Sequence, residues 1–300
     1  MRPWTTARAL VAALATALAG CSLLQAPRSH RGTAESGLEG GERIAPKRCA
    51  VTVSVLSRPL KDEVLNQVAW RLADEQAVGA DARHALEANG LRIGVVTGDL
   101  PPKVVALLNA PPPHKIDPKT VILPDGDTLL VPLGAPTPST SLLLSRDGHA
   151  TGKTYEEARG AFRLTASHEG DTGVSLRIVP EVHHGPIRRR VGADPAAGAF
   201  APQQFLFKEG QEEETFRELA ATLSLKPGQV ALIASLPDRR GSLGDFMLTE
   251  PEAGSDRLTQ KVVLVWAARN TEPPGTPRGS PPPPGLVPVD PAAPADVTTK

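Results

Sequence analysis

The alternation of hydrophobic and polar side chains is clearest between residues 161 and 182. Two alternating runs flank a segment, Glu169 to Gly173, that is rich in glycine and aspartate. The hydrophobic positions of the two runs are Phe162, Leu164, Ala166, Val174, Leu176 and Ile178. Period-two runs on either side of a glycine-containing turn predict a β-hairpin with one buried face and one hydrated face.

The register of this hairpin follows from its charges. Because the hydrophobic residues must share one face, opposed residues must match in parity. Pairing Leu164 with Leu176 would place Arg163 opposite Arg177, and like charges in that arrangement destabilise a sheet. We therefore predict that Leu164 pairs with Ile178, which keeps the two arginines apart.

The rest of the pattern predicts mostly strands. They are expected at residues 50–56, 91–97, 120–123, 128–133, 141–145, 204–208, 219–225, 229–236, 243–248 and 258–268. Residues 262–266 are hydrophobic on both faces, which is typical of a central strand. Helical spacing between residues 216 and 223 competes with the strand at 219–225. Helices are predicted at residues 59–76, 81–89 and 101–108.

Glycine, proline and aspartate mark the connections. Asp125–Gly126 lies between two predicted strands, and so does Pro227–Gly228, which predicts two further hairpins. A charged loop rich in proline, alanine and glycine is expected from Gly185 to about Gln203. Two prolines between Gly134 and Ser139 indicate a boundary between sub-domains.

These elements predict a β-rich α+β fold with disordered termini. A small α+β part is expected at residues 48–135, followed by a mainly antiparallel β-domain at residues 139–270. Residues 21–47 lack periodicity, so we interpret them as a flexible tether. Residues 271–300 contain ten prolines and are expected to be a disordered tail.

The first 20 residues have the pattern of an export signal. Arg2 and Arg8 give the N-terminus a positive charge, and an eleven-residue hydrophobic segment, residues 9–19, follows them. This segment is shorter than the ~20 residues that a permanent membrane-spanning helix requires. A conventional signal peptide followed by a chance or buried cysteine is the alternative to the interpretation that follows.

Leu18-Ala19-Gly20-Cys21 resembles the lipobox of bacterial lipoproteins. The resemblance implies that residues 1–20 are a lipoprotein signal peptide and that Cys21 is lipidated and becomes the mature N-terminus. Ser22 after the cysteine implies an outer-membrane anchor, so the protein is expected to be exported and to face the periplasm. Several acyl chains anchor a protein stably, whereas one chain alone binds only marginally.

A second resemblance covers residues 160–268. A hairpin ending in Ile178-Val179-Pro180-Glu181 is followed by Pro227-Gly228-Gln229 and then by the hydrophobic strand that starts at Val230. This order is similar to the C-terminal β-domain of the secretins, which are outer-membrane pore proteins of bacterial secretion systems. Ala234-Ser235 stands where that family usually has two glycines. The resemblance implies an antiparallel β-fold and a homo-oligomeric assembly.

Composition argues against several classes of ligand. Lysine plus arginine and aspartate plus glutamate number 33 each, and aromatic residues are only 3% of the chain. A neutral, aromatic-poor chain lacks the features of nucleic-acid binding. Residues 148–154 contain three residues between two glycines where a phosphate-binding P-loop has four, so no nucleotide is expected.

Candidate chemical groups are few. Glu181, His183 and His184 are weak candidates for metal ligands, because adjacent histidines point to opposite sides of an extended chain. Cys49 begins an alternating run and is predicted to be a buried structural thiol. We therefore expect no metal, no cofactor and no enzymatic activity.

The predicted function is a lipid-anchored structural or interaction protein with a membrane contact through its lipid and a protein partner or a second copy of itself. A component of a secretin-type assembly is the main alternative, and a hydrolase is the third hypothesis.

Overall fold

The computed structural model describes residues 47–111, 116–193, 205–252 and 254–270. The predicted signal peptide, the lipidation site Cys21, the tether up to residue 46 and the proline-rich tail lie outside these residues. So does part of the predicted loop that ends near Gln203.

The described residues form thirteen strands and three α-helices. The strands are β1 (Arg48–Pro59), β2 (Ala73–Asp74), β3 (Leu91–Val96), β4 (Lys119–Pro124), β5 (Thr128–Pro132), β6 (Thr137–Arg146), β7 (His149–Glu169), β8 (Gly173–Ala193), β9 (Phe205–Thr215), β10 (Ala221–Leu225), β11 (Val230–Ser235), β12 (Thr249–Pro251) and β13 (Leu258–Asn270). The helices are α1 (Ala80–Ala88), α2 (Pro102–Leu108) and α3 (Leu243–Leu248).

The strands form two antiparallel sheets. The first sheet has the order β2-β3-β11-β13-β1-β4, with β12 beside β13. The second sheet has the order β10-β8-β7-β5, with β6 on β7 and β9 on β8. This arrangement confirms the predicted β-rich α+β fold with antiparallel pairing.

The first sheet is covered on both faces, so the described part of the protein has three layers. One face packs against the second sheet, and its buried residues are Cys49, Val51, Val53, Leu91, Ile93, Val95, Ala231, Ile233, Val263, Val265 and Ala267. The other face packs against α2 and the short helical turns at residues 64–71, and it contributes Leu56, Val96, Val230, Leu232, Ala234, Val262, Leu264 and Trp266. Strand β13 lies between β11 and β1, which confirms the central position predicted from its apolar faces.

The predicted register of the central hairpin is confirmed. Leu164 pairs with Ile178, Thr165 pairs with Arg177, and Arg163 faces an uncharged residue rather than Arg177. Both strands are longer than predicted, at 21 residues each. The expected loop after Gly185 is therefore wrong as far as Ala193, because β9 supplies a backbone partner for this polar part of β8.

The two other predicted hairpins are wrong. Asp125–Gly126 connects β4, which pairs with β1, to β5, which pairs with β7. Pro227–Gly228 likewise connects β10, which pairs with β8, to β11, which pairs with β3 and β13. Both turns carry the chain from one sheet to the other. A turn sequence reverses the chain direction, but burial of the adjoining hydrophobic faces decides which strands pair.

The predicted boundary at residues 134–139 does not separate two sheets. The first sheet combines β1 to β4 with β11 to β13, and the second combines β5 with strands from the second half of the chain. Residues 48–135 and 139–270 therefore share one core, because β5 pairs with β7, β3 pairs with β11, and β1 pairs with β13.

Helical segments are predicted with mixed success. The structure confirms helices α1 and α2 and strand β10. The helix predicted at residues 59–76 is wrong, because this segment contains a π-turn (Val64–Val68), a 3-10 turn (Ala69–Arg71) and the short strand β2. The predicted strand at 243–248 is α3. Ser242 caps this helix, because its hydroxyl oxygen accepts the Asp245 backbone N–H at 3.2 Å.

Helix α3 approaches the segment after α1 closely enough to require glycine. The Gly244 backbone N–H donates to the Asn89 carbonyl at 2.9 Å. A Cβ atom on Gly244 would lie 2.0 Å from the Gly90 carbonyl oxygen, which is backbone and cannot rotate away.

We predict that Gly244→Ala lowers the free energy of unfolding by about 1–3 kcal/mol, the usual cost of an overpacked site. Urea denaturation measures the change. Gly152→Ala is the control, because a Cβ atom there meets nothing within 4 Å. Equal stability of the two variants would contradict the close approach of α3 to the segment after α1.

Candidate functional site

Strands β7 and β8 pair with each other over part of their length, and each then continues in a separate hairpin with a different partner. They pair with each other only from Arg159–His183 to Glu169–Gly173. Beyond that point β7 pairs with β6, and β8 continues with β9 alone. The Gln211 side-chain amide donates to the carbonyl oxygens of Glu157 and Gly185, at 2.7 and 2.9 Å, and so holds the two hairpins together where they part.

The extension of β8 and β9 is a two-stranded ribbon, which we define as residues 185–193 and 205–212. Among the described residues, no other strand pairs with either of its outer edges. Ile187 is 73% exposed. Arg188 Nη1 lies 3.7 Å from Glu212 Oε1. Unpaired edges and an exposed apolar side chain are features of a surface that accepts another strand.

The other hairpin, β6–β7, folds back onto the core instead. Its Leu142 and Tyr155 side chains are buried. At its tip, Arg146 forms an ion pair with Glu218, and the Ser145 backbone N–H donates to the Asn89 side chain at 2.8 Å. The two hairpins therefore differ, since β6–β7 is fixed to the core, whereas no described strand pairs with the outer edges of the ribbon.

A buried carboxylate lies at the base of the ribbon. Glu181 of β8 is 0% exposed, and its oxygens contact polar side chains of its own strand and of the two adjoining strands. Arg163 of β7 donates from Nη2 at 2.9 Å, Thr215 of β9 donates at 3.1 Å, and His183 of β8 lies 3.3 Å away. Glu213 also pairs with Arg163, at 3.3 Å.

These contacts keep Glu181 ionised. Burial raises the pKa of Glu181, but the hydrogen bonds from Arg163, His183 and Thr215 outweigh this effect, so its pKa is lowered below the ordinary value. A carboxylate with this many donors is suited to joining three strands rather than to transferring protons. The contacts of Arg163 and Thr215 with Glu181 carry no local sequence signal, because 18 and 34 residues separate the partners.

A second polar cluster lies where the ribbon begins, on the face of the sheet opposite Glu181. His184 contacts the Tyr155 ring edge-to-face, with centroids 5.1 Å apart, and Lys153 forms an ion pair with Glu214. The Tyr155 hydroxyl approaches Glu214 without reaching hydrogen-bond geometry. Burial raises the pKa of Tyr155, and the Glu214 carboxylate adds to the rise. The phenol therefore stays neutral at physiological pH.

The three weak metal candidates do not converge on one point. Glu181 and His183 lie together on one face, whereas His184 lies on the other face against Tyr155. Three residues whose ligand atoms all lie within 4.8 Å of one another are found elsewhere, namely Cys49, Asp125 and His168.

Cys49 is fully buried, which confirms its predicted place in the core. Burial raises the pKa of its thiol to about 11, with the Asp125 carboxylate adding to the rise and Arg269 opposing it. A neutral thiol at physiological pH is a poor nucleophile, so catalysis by Cys49 is not supported.

An open cleft of about 690 Å³ lies at the start of β4, beside the part of β1 that extends past it. Its lining is mostly apolar and includes Val53, Val55, Val121, Leu129 and Val131, with Arg58, Asp117 and Lys119 as the charged members. The described residues that line it include no histidine or cysteine.

We predict that Glu181→Gln reduces both stability and its pH dependence. Because folding lowers the pKa of Glu181, its contribution is present above the unfolded pKa of about 4.3 and is lost as the pH falls below it. We expect a loss of roughly 3 kcal/mol at pH 7, the lower end for a broken buried ion pair, because Arg163 is one-third exposed.

Urea denaturation at pH 7 and pH 3 measures this effect, and the variant should lose less stability than the parent between the two pH values. Glu218→Gln, which removes one partner of the exposed Arg146 ion pair, is the control and should change stability much less than Glu181→Gln does, because water screens exposed charges. A variant that is as acid-sensitive as the parent would exclude Glu181 as the group responsible.

Comparison with known proteins gives no match for this chain among protein-family models, curated proteins or solved structures. Within the described ranges, no helix has both the length and the apolar character needed to span a membrane.

Proposed function

We propose that this protein is an exported, lipid-anchored structural or interaction protein of the periplasm-facing outer membrane, and that the ribbon is its contact element. The observation that carries the proposal is the ribbon itself, because it leaves the second sheet with both edges unpaired in the described residues. A two-stranded hairpin is at best marginally stable alone in water, so a third strand from a partner would stabilise it.

The chemistry around the ribbon favours a structural role over catalysis. Glu181 is held by three hydrogen-bonding side chains, and Glu214 is paired with Lys153. These carboxylates fix the strands from which the ribbon projects. A ribbon whose edges are unpaired in the described residues, and whose first residues are held by hydrogen bonds, suits recognition of another chain.

A component of a secretin-type assembly is the second candidate. The observation that favours it is the length of β7 and β8, at 21 residues each, together with the open ribbon edges. Strands of neighbouring copies could then pair edge to edge in a ring, as the resemblance of residues 160–268 implies. Under the first candidate, the ribbon instead binds a different protein.

Photo-crosslinking from the ribbon distinguishes these candidates. We expect that a photoreactive amino acid at Ile187, in the full chain in its native membrane, forms a covalent adduct identifiable by mass spectrometry. The same substitution at Ile122 is the matched control, because Ile122 is also exposed, at 50%, but lies on β4 of the other sheet.

An adduct with another protein supports an interaction protein, and an adduct with a second copy supports the assembly component. If Ile187 and Ile122 give the same products, or if neither gives one, the ribbon is not the contact element.

We predict that Cys21→Ser moves the protein from the membrane fraction to the soluble fraction. The lipid would supply the membrane affinity, at about 0.8 kcal/mol for each buried methylene group. Fractionation and immunoblotting measure the distribution, with Ser22→Ala as the control that retains the cysteine. If the serine variant still pellets with membranes after a high-salt wash, the lipobox interpretation fails.

A further inference from the structure

Three side chains with metal-binding atoms converge where the two sheets meet near Lys47. The ligand atoms of Cys49, Asp125 and His168 all lie within 4.8 Å of one another. Cys49 belongs to β1 of the first sheet, and His168 belongs to β7 of the second sheet. Asp125 lies in the turn that carries the chain between those sheets.

Existing hydrogen bonds already orient two of these side chains. His168 Nε2 lies 2.8 Å from the Arg48 carbonyl oxygen, and because a carbonyl only accepts, Nε2 carries the hydrogen. The lone pair of the neutral ring is then on Nδ1. Metal-binding histidines commonly donate their other ring N–H to a backbone carbonyl in this way.

The Asp125 side chain is positioned by the backbone of β7. Its Oδ1 accepts the backbone N–H of His168 at 2.6 Å, and its own backbone N–H donates to the Lys47 carbonyl at 3.0 Å. Oδ2 of the carboxylate therefore remains for another ligand. The backbone of this turn is fixed further by Gly126, whose N–H donates to the Ala166 carbonyl at 2.8 Å.

The three residues form a gradient of burial from the core to the surface. Cys49 is fully buried, His168 is partly buried and Asp125 is exposed. An ion could therefore enter from the side of Asp125 and reach the thiol. The nearby Arg269 guanidinium is directed to carbonyl groups of the β7–β8 turn, including those of Asp171 at 2.6 Å and Gly173 at 3.1 Å.

We propose that Cys49, Asp125 and His168 bind a zinc ion, with water as a fourth ligand. Thiolate, imidazole and carboxylate are the ligand types of protein zinc sites, whereas Ca²⁺ and Mg²⁺ prefer sites made of oxygen alone. As the Sγ–Zn bond forms, the thiol loses its proton to solvent, because a coordinating thiol is deprotonated by the ion. The thiolate and the carboxylate then balance the charge of Zn²⁺.

The ion would connect the two sheets. One ligand comes from each sheet and the third from the turn between them, so binding would oppose separation of the layers. A ligand that binds only the folded state raises its stability in proportion to the logarithm of ligand concentration.

The site does not depend on the proposed function, since it lies at the opposite end of the β7–β8 pairing from the ribbon.

Metal binding is measured on the full chain carrying Cys21→Ser, which leaves Cys49 as its single thiol. After treatment with chelator and desalting, the protein is titrated with Co²⁺ as a spectroscopic probe and with Zn²⁺ in a calorimeter. We expect one ion per chain, a thiolate-to-Co²⁺ charge-transfer band that Zn²⁺ abolishes, and a rise in Tm with Zn²⁺ that EDTA reverses.

Asp125→Asn and His168→Gln each remove one ligand at the accessible side of the site, and Asp125→Asn retains an oxygen that can accept the His168 N–H. Each should weaken Zn²⁺ binding more than ~10-fold, since loss of even an outer partner of a metal ligand has that effect. His149→Gln is the matched control, because His149 is exposed at the start of β7 and lies outside the group. Circular dichroism verifies that all variants are folded.

The proposal is overturned if the folded parent shows no thiolate–Co²⁺ band or does not bind Zn²⁺. It is also overturned if both ligand variants bind as the parent does, or if His149→Gln weakens binding equally.

Discussion

The architecture depends on the need to bury both faces of the first sheet. Strand β13 alternates between two hydrophobic cores, with Val263 and Val265 on one side and Val262 and Leu264 on the other. A strand of this kind is unstable unless a layer covers each face, because every exposed apolar side chain loses the free energy of its transfer from water. The second sheet covers one face, and α2 with the helical turns covers the other.

This constraint explains why the chain crosses between the sheets at two of its short turns. At Asp125–Gly126 and at Pro227–Gly228, a hydrophobic strand leaves one sheet and the next joins the other. Arg269 strengthens the junction, because its guanidinium at the end of β13 donates to carbonyl groups of the β7–β8 turn. The sheets are thus joined by covalent turns and charged hydrogen bonds as well as by apolar contact. The proposed zinc site lies at the same junction.

The polar clusters have a different role, since they define where the second sheet stops being a packed layer. Up to Glu181, β8 has neighbours on both sides, and beyond His184 it pairs with β9 alone. The buried Glu181 carboxylate and the Gln211 amide fix this change of partner with hydrogen bonds from several strands. Their directional contacts make the ribbon start at a defined residue, which suits the contact role that we propose for it.

The features that depend on neighbouring residues could be predicted from the amino-acid pattern. Parity and like-charge repulsion were enough to predict that Leu164 pairs with Ile178. Proline and glycine marked α1 and α2, and alternation placed Cys49 in the core. These features are short-range, because the spacing of side chains along a strand or helix fixes which of them share a face.

Strand pairing and the meeting of distant groups depend on the packing of the whole fold. The six residues of α3 are too few for periodicity to separate a helix from a strand, and the close contact of Gly244 with Gly90 selects the helix. The polar residues of β8 after Gly185 form a strand because β9 offers hydrogen bonds. Cys49, Asp125 and His168 meet only when two sheets pack together. Local sequence cannot encode these outcomes, since they depend on surfaces that exist only after the layers have formed.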